Sequence, residues 1–194
     1  NYFNQAIAAV YSRQQALFQT NYGWFRAIIT RSDDTKNGAL YVDNLDQFTD
    51  GDATNVLNTH GWVILWQMIS RTNRILVQIE SEDIEFTDSE MKDYIKGEAY
   101  ILRAYAYWTL AWQFGGMPLI DKPLSVEETK EVPRSSQDET FNFAVADYKS
   151  AIDLLPESWS SEYSGRATKY SALAMLARLH MFRSDFQEAK PLLQ

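Results

Sequence analysis

The 194-residue chain is 45% hydrophobic and 14% aromatic with only eight Gly and five Pro, which excludes a disordered or low-complexity polymer and suffices for one sizeable core. Eighteen Lys and Arg against 26 Asp and Glu give a net charge of -8, and without a basic cluster no nucleic-acid partner is expected. Cysteine is absent, removing disulfides, thiolate metal sites and thiol nucleophiles. No apolar run approaches the ~20 residues that span a bilayer, and Asn1-Tyr2-Phe3 carries no signal-peptide pattern, although a removed leader or lipid anchor would leave no trace.

Tyr2 to Gln19 lacks Gly and Pro and sets Phe3, Ile7, Val10, Leu17 and Phe18 near one helical face. From 20 to 54 the pattern breaks at Asp33-Asp34, Asn37-Gly38, Asp43-Asn44 and Asp50-Gly51-Asp52, which predicts a long loop region, a feature that in a compact domain is usually functional or mobile. Asn55 to Ser81 recovers the helical period through Val56, Trp62, Trp66, Ile69, Asn73 and Leu76 or Val77. Thr87 to Glu90 reads as a capping box opening a helix to Phe114. Gly115-Gly116 and Pro118 then end it, leaving Met117 to Ile120 as an extended strap. A second box, Ser136 to Glu139, starts a helix closed by Leu155-Pro156. Thr168 to Phe182 forms another, and a third box at Ser184 to Gln187 begins a last helix that reaches Gln194. The expected fold class is all-α, built from antiparallel helix pairs.

Tetratricopeptide repeats recur every 34 residues because each helix pair leaves a flank that only the next pair covers. Leu176-Ala177, His180, Ser184, Phe186 and Ala189 fall in that register, with the small residues Ala177 and Ala189 allowing close approach. Phe141, Ala144, Tyr148, Ala151 and Pro156 match the repeat's second helix, paired with Ile95 to Phe114. The expected helix pairs are 87–156 and 168–194, the latter truncated, with Leu176, Leu179, Phe186, Leu192 and Leu193 left uncovered. Two ordinary helical hairpins are the plain alternative.

Five stretches in order resemble the SusD/RagB family of outer-membrane lipoproteins across nearly the whole chain. They are Trp62 to Asn73; Gly97-Glu98-Ala99 through Arg103-Ala104-Tyr105; Gln113 to Ile120 with Val132 to Ser136; Asp147 to Pro156; and Gly165 to Lys169 before the helix Ala172 to Phe182. Trp66 stands where the family often has Tyr, and Thr72 where a small Ala is common. The family's lipidated cysteine is absent, and its chains continue far beyond Gln194. The resemblance implies the N-terminal portion, 1–194, of a single SusD-like domain in a surface-exposed lipoprotein held to the outer membrane by an N-terminal lipid outside this chain. It further implies a non-enzymatic protein that captures oligosaccharides and delivers them to a SusC-like TonB-dependent transporter, which the repeat helices contact.

His60 and His180 stand at no metal or triad spacing, and no metal or cofactor is expected. His180 reads as a satisfied core residue and His60 as lying in the first turn of its helix. Asp43, Asp46, Asp50 and Asp52 lack the pattern of a calcium loop. A glycosidase would need a carboxylate pair that nothing here singles out. Trp62, Trp66, Tyr105, Trp108 and Trp112 are expected to fill the core. Loop aromatics are the candidates for stacking against the C–H face of a sugar: Trp24, Tyr41, Phe48, Trp159 and Tyr163, with Asp33, Asp34, Asn37, Asp43 and Asn44 for its hydroxyls. The alternative from another class is a helical-repeat adaptor that binds a protein and no sugar.

Overall fold

The computed structural model describes residues 2–18, 56–81, 86 and 88–194. Seven α-helices lie among them: α1 (Tyr2–Ala16), α2 (Val56–Gln78), α3 (Ser89–Phe114), α4 (Val126–Glu131), α5 (Gln137–Leu154), α6 (Lys169–Phe182) and α7 (Phe186–Ala189). Short 3-10 turns occupy Ser161–Tyr163 and Lys190–Leu193. No strand occurs among the described residues, only an isolated antiparallel bridge between Pro118 and Arg134. The all-α expectation holds, whereas the loop region 20–54 lies outside the described residues.

The long helix α3 is the spine. It packs along α5 on one side and α2 on another, and touches α1 and α6. Its buried positions include Ile95, Ala99, Leu102, Ala106 and Leu110, and the fully buried rings of Tyr107 on α3 and Tyr148 on α5 belong to the same core. Each large side chain buried there contributes about 1.5–3 kcal/mol. Gly97 lets α3 meet the end of α5: a Cβ there would sit 2.8 Å from Leu155 Cγ.

The caps explain where the helices begin. Ser136 and Glu139 form the expected box on α5, each bonding the other's backbone N–H. Thr168 caps α6 in the same way through Ser171. The start of α3 falls one residue later than expected, because the Asp88 carboxylate accepts the Glu90 N–H. The expected box at Ser184 is not formed. Ser184 has φ +63° and closes α6 in a Schellman turn, its N–H bonding Met181 O while the Asp185 N–H bonds His180 O. Asp185 then precedes α7 without a side-chain cap, and α7 gives way to a 3-10 turn containing Pro191. Helix α4, unforeseen, carries its own box from Ser125 and Glu128.

Several core expectations need correction. Trp108 is buried, but Trp62 and Trp112 are 37% and 39% exposed, Trp62 packing against Trp66 and Phe114 and Trp112 against Phe182. Phe18 lies beyond the end of α1 and is also exposed. Leu176 and Leu179, expected to lie uncovered, are buried, whereas Phe186 and Leu193 are exposed. Ala177 and Ala189 are both buried where α6 meets α7. His180 is buried, but its Nδ1 has no hydrogen-bond partner among the described residues and lies 3.7 Å from Asp185 Oδ2. His60 sits just past the first turn of α2.

Candidate functional site

Two buried polar networks fix the surfaces available to a ligand. In the first, Arg103 of α3 makes a bidentate pair with Asp147 of α5, at 2.7 and 2.8 Å, and donates to Asn73 Oδ1 of α2 at 2.7 Å. Asn73 in turn donates to Ile120 O, and the Tyr107 hydroxyl accepts the Ile120 N–H at 2.7 Å. These bonds tie the 117–121 strap to three helices. Burial pushes the Tyr107 hydroxyl well above its ordinary pKa, so it remains a neutral donor and acceptor. The other side of the strap is held by Arg134, which donates to Gly116 O and Phe114 O and places a cation at the carboxyl end of α3.

In the second network, the fully buried carboxylate of Glu98 pairs with the Arg166 guanidinium and accepts the Tyr11 hydroxyl at 2.8 Å. The Ala167 N–H donates to the Tyr11 oxygen at 2.9 Å. Burial, and then the Glu98 charge, raise the Tyr11 pKa far above its usual value. A buried carboxylate is tolerable only when paired in this way.

Arg166 also organises aromatics. Its guanidinium lies 4.4 Å from the Trp159 ring centroid and 5.2 Å from that of Tyr163. Trp159 meets Tyr94 and Tyr163 edge-on, at 5.3 and 5.7 Å, and its indole N–H donates to Ala167 O at 2.7 Å. The structure thus brings together two of the expected ligand residues, Trp159 and Tyr163, and adds Tyr94 and Arg166. One face of Trp159 is taken by the guanidinium, so a sugar would meet its remaining edge and face. Trp24, Asp33, Asp34, Asn37, Tyr41, Asp43, Asn44 and Phe48 all lie outside the described residues.

Arg166 also lines a groove of about 470 Å³ running between α1, α3 and α6. Its walls are largely apolar and include Tyr105, Trp108 and Met175, with Arg178 over the Trp108 ring at 5.2 Å. Concave, mostly apolar surfaces with a few polar groups suit small ligands. Sequence reasoning singled out Arg166 only as part of a motif and did not mark Tyr94. The pairing of Arg166 with Glu98, 68 residues away, has no local signature.

Comparison with known proteins decides the family. A family model described as starch-binding and associating with the outer membrane, SusD-like, matches residues 3–181. The chain belongs to that family. That description is of carbohydrate binding, not of cleavage. SusD-like protein P38 of Formosa agariphila is 30% identical over 190 residues, covering 94% of this chain and 35% of that protein. Among solved structures, a SusD superfamily protein of Bacteroides vulgatus superposes with a TM-score of 0.81 at 25% identity, over 99% of this chain and 42% of its own. A laminarin-binding SusD-like protein gives a TM-score of 0.84 at 23% identity, over all of this chain and 42% of its own, and so shares the fold. The chain spans between about a quarter and about a third of the length of the curated relatives it matches.

Proposed function

We propose that the protein carrying this chain captures oligosaccharides at the cell surface without cleaving them and passes them to a SusC-like TonB-dependent transporter, anchored by a lipid N-terminal to this chain. The observation that carries this reading is the family match over residues 3–181, whose description joins starch binding to the outer membrane. The rigid setting of Trp159 supports it: a ring already held by Arg166, Tyr94, Tyr163 and Ala167 loses little freedom when a sugar stacks on it. Tyr41, Phe48 and Trp24, with Asp33, Asp34, Asn37, Asp43 and Asn44, complete the proposed contacts. Weak binding per contact suits a receptor that releases its ligand onward.

Calorimetric titration of the whole protein with starch and laminarin oligosaccharides tests the reading. Native protein is expected to bind at least one, with Trp159→Ala and Tyr41→Ala each weakening it. Affinity that survives a substitution removes that residue from the site, and the absence of binding to any neutral or acidic glycan defeats the glycan reading. Co-purification with a TonB-dependent transporter tests delivery. The adaptor reading has its own support in the exposed Phe182, packed edge-on against Trp112, and in the exposed Phe186. It gains if the protein captures a polypeptide and no sugar.

A further inference from the structure

A second concavity, of about 340 Å³, lies on another part of the molecule, between α2 and the chain from Ile120 to Leu124, with Thr129 of α4 at its edge. We infer that this cleft is a subsite for an acidic sugar unit, one bearing a carboxylate or a sulfate. The inference rests on the glycan-binding reading above and assigns that reading a charge.

Three observations converge. First, the described residues that line the cleft include two cations and no carboxylate, in a chain of net charge -8. Arg74 and Lys122 both line it, both are exposed, and neither makes an ion pair or hydrogen bond among the described residues. Glu128, whose charge is felt by Lys122, is committed to the N–H of Ser125 in the cap of α4. Asp121 flanks Lys122 in sequence but is not among the lining residues. Second, Trp66 lines the cleft with a ring held in place by its neighbours, tilted against Trp62 and edge-on to Tyr107 at 6.1 Å. A ring fixed in advance loses little freedom when a sugar packs on it. Third, Trp62, Trp66, Ser70 and Arg74 repeat every four residues along α2, so they share one face. An exposed indole, a half-buried indole, a hydroxyl and a guanidinium follow one another in that order.

This is the sequence of chemistries that a charged oligosaccharide needs. Ring faces stack on indoles, while an anionic substituent meets a guanidinium and an ammonium in charge-assisted hydrogen bonds. The strap forming the far wall is fixed by Asn73 and Tyr107 through Ile120, so the cleft is built before a ligand arrives.

The test uses the whole protein and three probes of matched length: a neutral, a uronate-bearing and a sulfate-bearing oligosaccharide. Wild-type protein is expected to bind one or both acidic probes more tightly than the neutral one, and to lose that preference as salt rises. Arg74→Ala/Lys122→Ala should weaken the acidic probe by at least about tenfold and leave any neutral binding unchanged. Trp66→Phe, which keeps a ring of smaller face, should weaken it by a smaller factor. Retention of acidic binding by the double variant overturns the inference. Binding of the neutral probe alone overturns it while sparing the glycan reading, and binding of no probe defeats both.

Discussion

Gly116 lies so close to Ser135 that a Cβ on the glycine would fall 1.9 Å from the serine carbonyl oxygen. The obstacle is backbone, held by the Ser135 N–H bond to Met117 O, and cannot swing aside. Gly116→Ala should therefore destabilise by roughly 1–3 kcal/mol or more. Gly165 provides the contrast. Its φ is +91°, with nothing among the described residues within 4 Å of a Cβ, so Gly165→Ala should cost only the backbone strain of about 1 kcal/mol. Denaturant midpoints that rank the two variants in reverse would contradict this account of the strap.

Arg103 and Asp147 are each buried and depend on one another. Arg103→Met leaves a buried carboxylate without its partner and should cost about 3–5 kcal/mol. Adding Asp147→Leu should recover much of that loss. If the double variant is no more stable than Arg103→Met in denaturant unfolding, the pair is not the coupled unit described.

Ala177→Trp should overpack the seam between α6 and α7 and destabilise by roughly 1–3 kcal/mol, because Ala177 and Ala189 are both buried there. An unchanged unfolding midpoint would count against close approach of these helices.

Tyr148 buries a hydroxyl that has no hydrogen-bond partner among the described residues, and burial raises its pKa well above the ordinary value. Removing an unsatisfied buried polar atom while keeping the ring should be neutral or stabilising by up to about 1 kcal/mol. Clear destabilisation of Tyr148→Phe would mean that the hydroxyl has an acceptor after all.

Acid dependence follows from Glu139, whose carboxylate is held below its usual range by the Ser136 hydroxyl and backbone N–H. A carboxylate depressed in the folded state contributes stability above its unfolded pKa, about 4.3, and loses it as pH falls through the folded value. Glutamine also completes a capping box, so Glu139→Gln removes the titration while keeping the geometry. The difference in melting temperature between wild type and variant should be constant near neutrality and shrink below about pH 4.3. A difference independent of pH would exclude an ionised cap.

What could be read from sequence was local. Ser136 and Glu139 announce a helix start because the bonding partners are three residues apart, and Gly115 announces a stop because few other residues reach φ +82°. The same signature at Ser125 and Glu128 marked α4 and passed unread, since that helix is highly charged and buries no residue. Ser184 misled because a serine before a short helix resembles a cap, while its backbone was already closing the preceding one. Periodicity placed Trp62 and Trp112 on helices but could not say whether a third element covers them. The candidate site was legible at Trp159 and Tyr163 as rings in a polar segment. Arg166 and Tyr94 join them only through packing across long stretches of chain.

The single carboxylate of Glu98 gears distant parts of the molecule together. Tyr11 on α1 and Arg166 beneath Trp159 both engage it, and Tyr11 also grips Ala167, the residue that accepts the Trp159 N–H. Two hydrogen bonds, at 2.7 and 2.9 Å, thus separate the tryptophan from the first helix. A displacement of α1 would therefore have to break these bonds or carry the segment around Ala167 with it.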